Sequence, residues 1–493
     1  MSASVPTIND RARVTTRGSW RPPLGEFVGR HRGMIVAAGV LVVSICFVVL
    51  TEMRAQFDAY GWLVWGRQAL HGDLNLNSAP SWKPLTFLFT FAYAPTGREA
   101  LWLWMVTAVA GAVAAPVFAG RIAHRLTGPA PGRPYAPRVA GIFAALGLLG
   151  LEGYWHLVLV AASDPLVVAL CLAAIDCHLS RRPRAAWVLL VLASLGRPEA
   201  WPLVGLYGVR AWRTIPSMRK ELAVGLAIVP ALWFGVPGIT SHDWLIAGHV
   251  ALESTKTIPG NRLSLMVSGF AGLYEFPMSL AALFAVALAV VRRERTWLVL
   301  AGLSLIWLAT EAAFALHGWN PSPRYMFEPA AVLIVLAGAA IGWSLAMTSG
   351  RGLLRAATIV AVVALVVALA PRARIRGRLV HDDIIANRVF GDESDRLHSV
   401  IAGVGGTRHI LACGKPVTDI AFQTILAWDV DENVADVGFD PRKSIATRKP
   451  IVLFEPHGTR WKVRPIHGNR ARCSRLSTDA RFSWILPRFR SGL

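Results

Sequence analysis

Apolar runs, most of about 17 to 25 residues and bounded by short polar or basic stretches, recur from residue 34 to residue 371. Runs of this length predict helices that cross a lipid bilayer. About eleven are expected, over 34–52, 100–120, 138–152, 161–179, 185–196, 199–211, 222–238, 276–291, 296–315, 325–346 and 354–371. Two long polar stretches, 53–99 and 239–275, interrupt the series as large loops. Inside the first, Leu85 to Tyr93 is apolar but too short to span, which predicts a helix lying at the interface or re-entering the membrane. The segments 185–196 and 199–211 are short and joined by Gly196-Arg197-Pro198-Glu199-Ala200-Trp201, a pattern expected of helices that stop around a polar cavity.

After residue 371 the pattern changes. Strand-like pieces at Ala421 to Trp428 and Pro450 to Phe454, with Gly414-Lys415-Pro416 as a turn, predict a small soluble α/β-type domain over 372–493. Residues 1–33 are polar and Arg-rich and read as an N-terminal tail. The run after them lacks a small-residue cleavage site, so it is expected to be a retained first helix.

Composition agrees: 54% of residues are hydrophobic, 16% are charged, and mean hydropathy is +0.46. The formal charge of +21 changes the picture only through its distribution. Basic residues gather between apolar runs, as at Arg181, Arg182 and Arg184, or Arg292, Arg293 and Arg295, where they stay cytoplasmic and meet anionic lipid. The partner they imply is the bilayer, and nucleic acid is excluded. The same bias puts the N-terminus in the cytoplasm and both large loops and the 372–493 domain outside a plasma membrane. Cys46, Cys171 and Cys177 fall in spans. Cys413 and Cys473 fall in the outer domain, where a disulfide would support a modest core. No cysteine or histidine spacing forms a closed metal site, and no divalent metal is required.

The chemistry concentrates in the first large loop, read as an active-site loop, at Phe57-Asp58-Ala59-Tyr60-Gly61-Trp62, His71-Gly72-Asp73 and Trp82-Lys83-Pro84-Leu85. Asp58 is a candidate general base for an incoming hydroxyl, although most loop acids cap helices or face water. Lys83 could hold a phosphate as it leaves, or snorkel to lipid phosphate. Asp164 in Ser163-Asp164-Pro165-Leu166, Arg197, Glu199 and Arg324 fall on the same outer side, and Ser163 or Asp164 could simply cap a helix. So many ionisable groups at one membrane level imply a cavity, a substrate path or a catalytic site.

In this order the motifs resemble the multi-pass membrane glycosyltransferases of the GT-C fold, in particular the protein O-mannosyltransferase and aminoarabinose transferase branches. The resemblance rests on Asp58, Tyr60, Gly72-Asp73, Lys83-Pro84-Leu85, Ser163-Asp164-Pro165-Leu166, Arg197-Pro198-Glu199-Ala200-Trp201 and Arg324-Tyr325-Met326 with Pro329. It implies transfer, with inversion, of a sugar from a polyprenyl-phosphate donor to an extracytoplasmic envelope glycan, glycolipid or protein. Asp58 would be the base, with Tyr60, Lys83, Asp164, Arg197, Glu199, Arg324 and Tyr325 binding donor phosphate or substrate. Many relatives carry two adjacent acids at the base position. Here Phe57 precedes Asp58, leaving Asp73, Asp164 or Asp243 as candidates for the second acid. The Pro-, Arg- and Ala-rich composition resembles that of actinobacterial proteins, which makes mannose or arabinose the expected sugar. A transporter or flippase of a lipid-linked substrate, or an inactive scaffold of this fold, are the competing readings.

Overall fold

The computed structural model describes residues 23–129, 133–253, 260–348, 352–457 and 460–468, together with Cys473 and Leu476. Of the expected N-terminal tail, residues 1–22 lie outside the described residues. The first helix starts earlier than the apolar run, at Pro23, and ends at Thr51.

All eleven apolar segments are helical, but they differ in reach. Six lie in helices long and apolar enough to cross a membrane: Gly33–Thr51, Glu99–Thr127, Pro216–Thr240, Arg295–His317, Pro323–Met347 and Gly352–Gly403. A seventh, Phe276–Arg292, forms with Arg262–Gly272 a pair bent by 93°. The remaining four, Tyr135–Leu149, Asp164–Leu179, Pro183–Gly196 and Trp201–Thr214, are 14 to 16 residues long. That is about 21 to 24 Å of helix, short of a hydrocarbon core of about 30 Å. Three of these, Asp164–Leu179, Pro183–Gly196 and Trp201–Thr214, have one end where Ser163, Asp164, Arg197 and Glu199 are buried, so an internal polar site sets where they stop. The chain is a multi-pass α-helical membrane protein.

Helix Glu99–Thr127 packs against Tyr135–Leu149, Asp164–Leu179 and Phe327–Met347. No aqueous driving force pulls helices together in lipid, so close approach of small residues must hold them. A Cβ on Gly338 would stand 2.7 Å from the Ala140 carbonyl oxygen, and one on Gly111 would stand 2.6 Å from the Leu166 Cα.

The expected active-site loop is itself largely helical. Phe57–His71 follows extended Gln56 and ends at Gly72, whose φ of 79° lets the Gly72 and Asp73 N–H groups reach the carbonyls of Ala69 and Gln68. Tyr60, Trp62, Leu63, Val64 and Trp65 are buried, leaving it no broad wet face. Pro84–Tyr93 is the expected short helix, about 15 Å long, with Pro84 at its first position. The two lie so close that a Cβ on Gly66 would stand 2.5 Å from the Thr90 carbonyl oxygen.

The helix Gly352–Gly403 runs for 52 residues, straight through the expected boundary at 371, with Pro371 inside it. Its second half docks on the bundle end that carries the first loop. Asn387 accepts from the Arg54 N–H (2.7 Å) and donates to the Arg54 and Leu159 carbonyls, while Arg388 donates to the carbonyls of Leu50 and Thr51. Beyond it, strand Lys415–Val417 pairs in parallel with Ile451–His457, which pairs antiparallel with Arg460–Ile466. Gly414 precedes the first strand at φ 152°, and a Cβ there would stand 2.5 Å from the Pro450 carbonyl carbon. Cys413 and Cys473 are joined by a disulfide.

One expected strand is a helix. Ala421 to Trp428 forms a short turn and then helix Gln423–Asp429, because this stretch packs against helix Phe57–His71 instead of joining the sheet. Thr424 Oγ1 donates to the Phe57 carbonyl (2.7 Å), and Arg67 donates to the Trp428 carbonyl (3.0 Å) and pairs with Asp431 (2.9 Å). The C-terminal unit thereby holds the helix that carries Asp58.

Candidate active site

Five of the predicted polar residues sit at helix starts. Asp58 is second in Phe57–His71, Lys83 immediately precedes Pro84–Tyr93, and Asp164 opens Asp164–Leu179. Glu199 lies in the 3₁₀ turn Pro198–Ala200 before Trp201–Thr214, and Arg324 in the turn Pro323–Met326 before Phe327–Met347. Helix starts carry unpaired N–H groups and the positive end of the dipole, so their convergence creates a region that favours an anion.

Asp58 and Arg324 form the open part of this cluster. The Asp58 Oδ2 to Arg324 Nη1 distance is 3.9 Å, and each side chain is about one third exposed, at 35% and 32%. Arg324 also donates to the Tyr325 hydroxyl (3.3 Å) and lies over its ring.

Lys83 lies deeper. Its Nζ donates to Ser163 Oγ (3.3 Å) and sits 5.2 Å from the centre of the Trp62 ring. Burial, reinforced by the neighbouring Arg197 and Arg324 guanidiniums, pushes its pKa down to about 7, against the opposing pull of Asp58 and Glu199. An arriving phosphate would add negative charge beside this amine and restore its proton.

Arg197 does different work. Its side chain is 4% exposed and pairs with Asp164 and with Glu199, the latter at 3.8 Å. Its guanidinium stacks 4.2 Å from the Tyr325 ring centre. With its charge already met, Arg197 fixes Tyr325, and through it Arg324, instead of standing open to a departing phosphate. Ser163, the N-cap residue, makes no side-chain cap for the helix Asp164–Leu179, and the Asp164 carboxylate serves Arg197.

The other expected residues are not brought to Asp58. Tyr60, two positions on along the same helix, points to another face, where burial and then the Asp429 and Asp395 carboxylates push its phenol pKa up. Asp73 is exposed beyond the far end of that helix, about 22 Å from Asp58 along its axis. Asp243 is held within its own loop by the His249 ring (2.6 Å) and the Leu245 N–H (2.9 Å). Neither supplies a second acid at the base position.

Two acids escaped the sequence reading. Glu311 is buried beside Glu199 and Arg197, and Glu328 is buried facing Arg197, Glu199 and Glu311. The signal was present, since an acid inside an apolar span is itself a mark of a functional interior. Among the described residues no group of three or more His, Cys, Asp or Glu side chains is arranged to hold a metal ion.

No protein-family model matches the chain, and no curated protein matches it. Among solved structures it is similar to ArnT from Cupriavidus metallidurans bound to undecaprenyl phosphate. The identity is 14% and the TM-score 0.50, over 86% of this chain and 93% of that one. The apo form of the same protein aligns at 13% identity and a TM-score of 0.46, over 87% and 94% of the two chains. At these identities the likeness concerns architecture, and it extends over most of both chains: the chain has the GT-C fold.

Proposed function

We propose that this protein is a membrane glycosyltransferase that moves a sugar, mannose or arabinose, from a polyprenyl-phosphate donor to a hydroxyl of an envelope glycan, glycolipid or protein. The observation that carries the reading is the Asp58–Arg324 pair, a carboxylate and a guanidinium 3.9 Å apart, both open, beside Lys83 and among converging helix starts. The similar ArnT structure holds undecaprenyl phosphate, which supports a lipid phosphate as the anion.

In this reading the donor phosphate meets Lys83 and Arg324, and Arg324 turns from Asp58 to the phosphate. The freed carboxylate takes the proton of the acceptor hydroxyl, whose oxygen attacks the anomeric carbon. The new C–O bond forms opposite the breaking one, so configuration inverts. The bridging oxygen leaves with the bonding electrons on polyprenyl phosphate, where Lys83 and Arg324 offset the charge. Arg197, Asp164, Glu199 and Glu311 keep the cationic side chains in position.

The membrane is the plasma membrane, with residues 1–33 cytoplasmic and the 372–493 unit outside. The Cys413–Cys473 disulfide supports an oxidising location for that unit. The decisive experiment supplies the reconstituted protein with defined polyprenyl-phosphate mannose and arabinose and analyses products by mass. Glycosylated acceptor plus free polyprenyl phosphate is expected. Unmodified donor recovered on the other side of the bilayer would replace this reading with transport.

A further inference from the structure

The bundle contains a cavity of about 530 Å³ between helices Asp164–Leu179, Pro183–Gly196, Trp201–Thr214, Arg295–His317 and Phe327–Met347. Its walls are largely aliphatic, with Ile175, Leu190, Leu203 and Leu303 among them, and His178 and Tyr207 add polar groups. Leu206 and Val299 line it too and are 51% and 58% exposed, which marks a side opening onto lipid. One end is closed by Trp307 and Glu328, and the other carries Arg210 and Arg295.

The cationic end is remote from the transfer site. Along Arg295–His317, Arg295 is about 24 Å from Glu311, and along Trp201–Thr214 the chain runs away from Glu199 to reach Arg210. Arg295 to Trp307 spans about 18 Å, close to one leaflet of a hydrocarbon core of about 30 Å. Among the described residues neither Arg210 nor Arg295 joins an ion pair. The cavity does not simply continue the transfer site, because the Trp307 indole donates to the Tyr325 carbonyl (2.9 Å) across its closed end.

We propose that this cavity holds one acyl chain of an anionic phospholipid from the leaflet opposite the transfer site, with the lipid phosphate between Arg210 and Arg295. The apolar walls take the chain, the one-leaflet depth matches its length, and two unpaired guanidiniums at the rim complement the headgroup. A polyprenyl donor anchored at Lys83 and Arg324 enters from the other end of the bundle and is a different occupant.

The test reconstitutes the full chain in phosphatidylcholine vesicles doped with phosphatidylglycerol bearing a diazirine on its acyl chain, then maps labelled peptides after photolysis. Label is expected on Asp164–Leu179, Trp201–Thr214 and Arg295–His317. Arg210→Gln and Arg295→Gln should each reduce it about five-fold. Both side chains are exposed, so these variants leave the fold intact. Leu303→Trp, which fills the cavity, should abolish the label, whereas Leu305→Trp on the exposed face should not. Equal labelling by diazirine-bearing phosphatidylcholine with no response to either arginine variant would overturn the proposal. So would displacement of the probe by polyprenyl phosphate, which would give the cavity to the donor chain.

Discussion

Asp58 and Arg324 face each other at 3.9 Å across the mouth of the site, although 266 positions of sequence separate them. The carboxylate is second in a helix of the first loop, and the guanidinium begins a late span. In the proposed reaction, each would hold the other's charge until a substrate with a phosphate and a hydroxyl offered both a better partner.

Asp58→Asn keeps the shape and removes the base. Transfer should fall by about a hundred-fold to ten-thousand-fold. Thermal unfolding should stay close to that of the parent, because the side chain is one third exposed. Product mass analysis beside a melting curve checks both, and undiminished turnover would remove Asp58 from the role of base.

Lys83 predicts a pH dependence with two opposite signs. In the folded protein it gives up its proton near pH 7, against 10.5 for an unperturbed lysine. Between those values the unfolded chain binds the additional proton, so the contribution of this group to stability rises with pH. Phosphate binding needs the ammonium, so affinity for polyprenyl phosphate should decline as pH rises through about 7. Lys83→Arg, charged throughout, should flatten that decline, and an equally steep decline in the variant would assign it to another group.

Arg197 and Arg324 should separate in their effects. Arg197→Met leaves Asp164 and Glu199 buried without their counter-charge and should destabilise the protein by about 3–5 kcal/mol. Adding Asp164→Asn should recover part of the loss. Arg324→Ala should cost little stability and most of the turnover. Tryptophan-fluorescence unfolding with a parallel transfer assay distinguishes the two.

Gly61→Ala tests the clasp between the C-terminal unit and the Asp58 helix. The new Cβ would overlap the Pro80 side chain and meet Thr424 Cγ2 at 3.3 Å. A cost of about 1–3 kcal/mol is expected, with lower turnover because the Asp58 helix must shift. Wild-type melting and activity would show that the contact yields freely.

Removing the Cys413–Cys473 disulfide by paired Cys→Ser substitution should cost about 2–5 kcal/mol, since the bridge closes a sequence separation of 60 residues. The loss should appear first as protease sensitivity of the C-terminal unit. Unchanged resistance would mean that the sheet and its packing on the long helix suffice.

Hydrophobic run length determined the class of this protein and where most of its helices lie, because lipid leaves the backbone few other conformations. It did not show that the first helix begins at Pro23 or that the last long one continues to Gly403. The order of polar motifs between those runs singled out Asp58, Lys83 and Arg324. Run length marked the two short helices on either side of Arg197, but it could not tell that the helix Asp164–Leu179, read as a span, starts at a buried polar group beside Ser163. The stretch Ala421 to Trp428 read as strand-like, where docking on the Asp58 helix made a helix instead. The division of labour among the charges was also invisible. Arg197 and Arg324 look alike as letters, yet one is enclosed by Asp164, Glu199 and Tyr325 and the other is open to a ligand. Tertiary packing decides such roles, because the free energy of a charge depends on its distances to other charges and on its exposure to water, and neither is a property of local sequence.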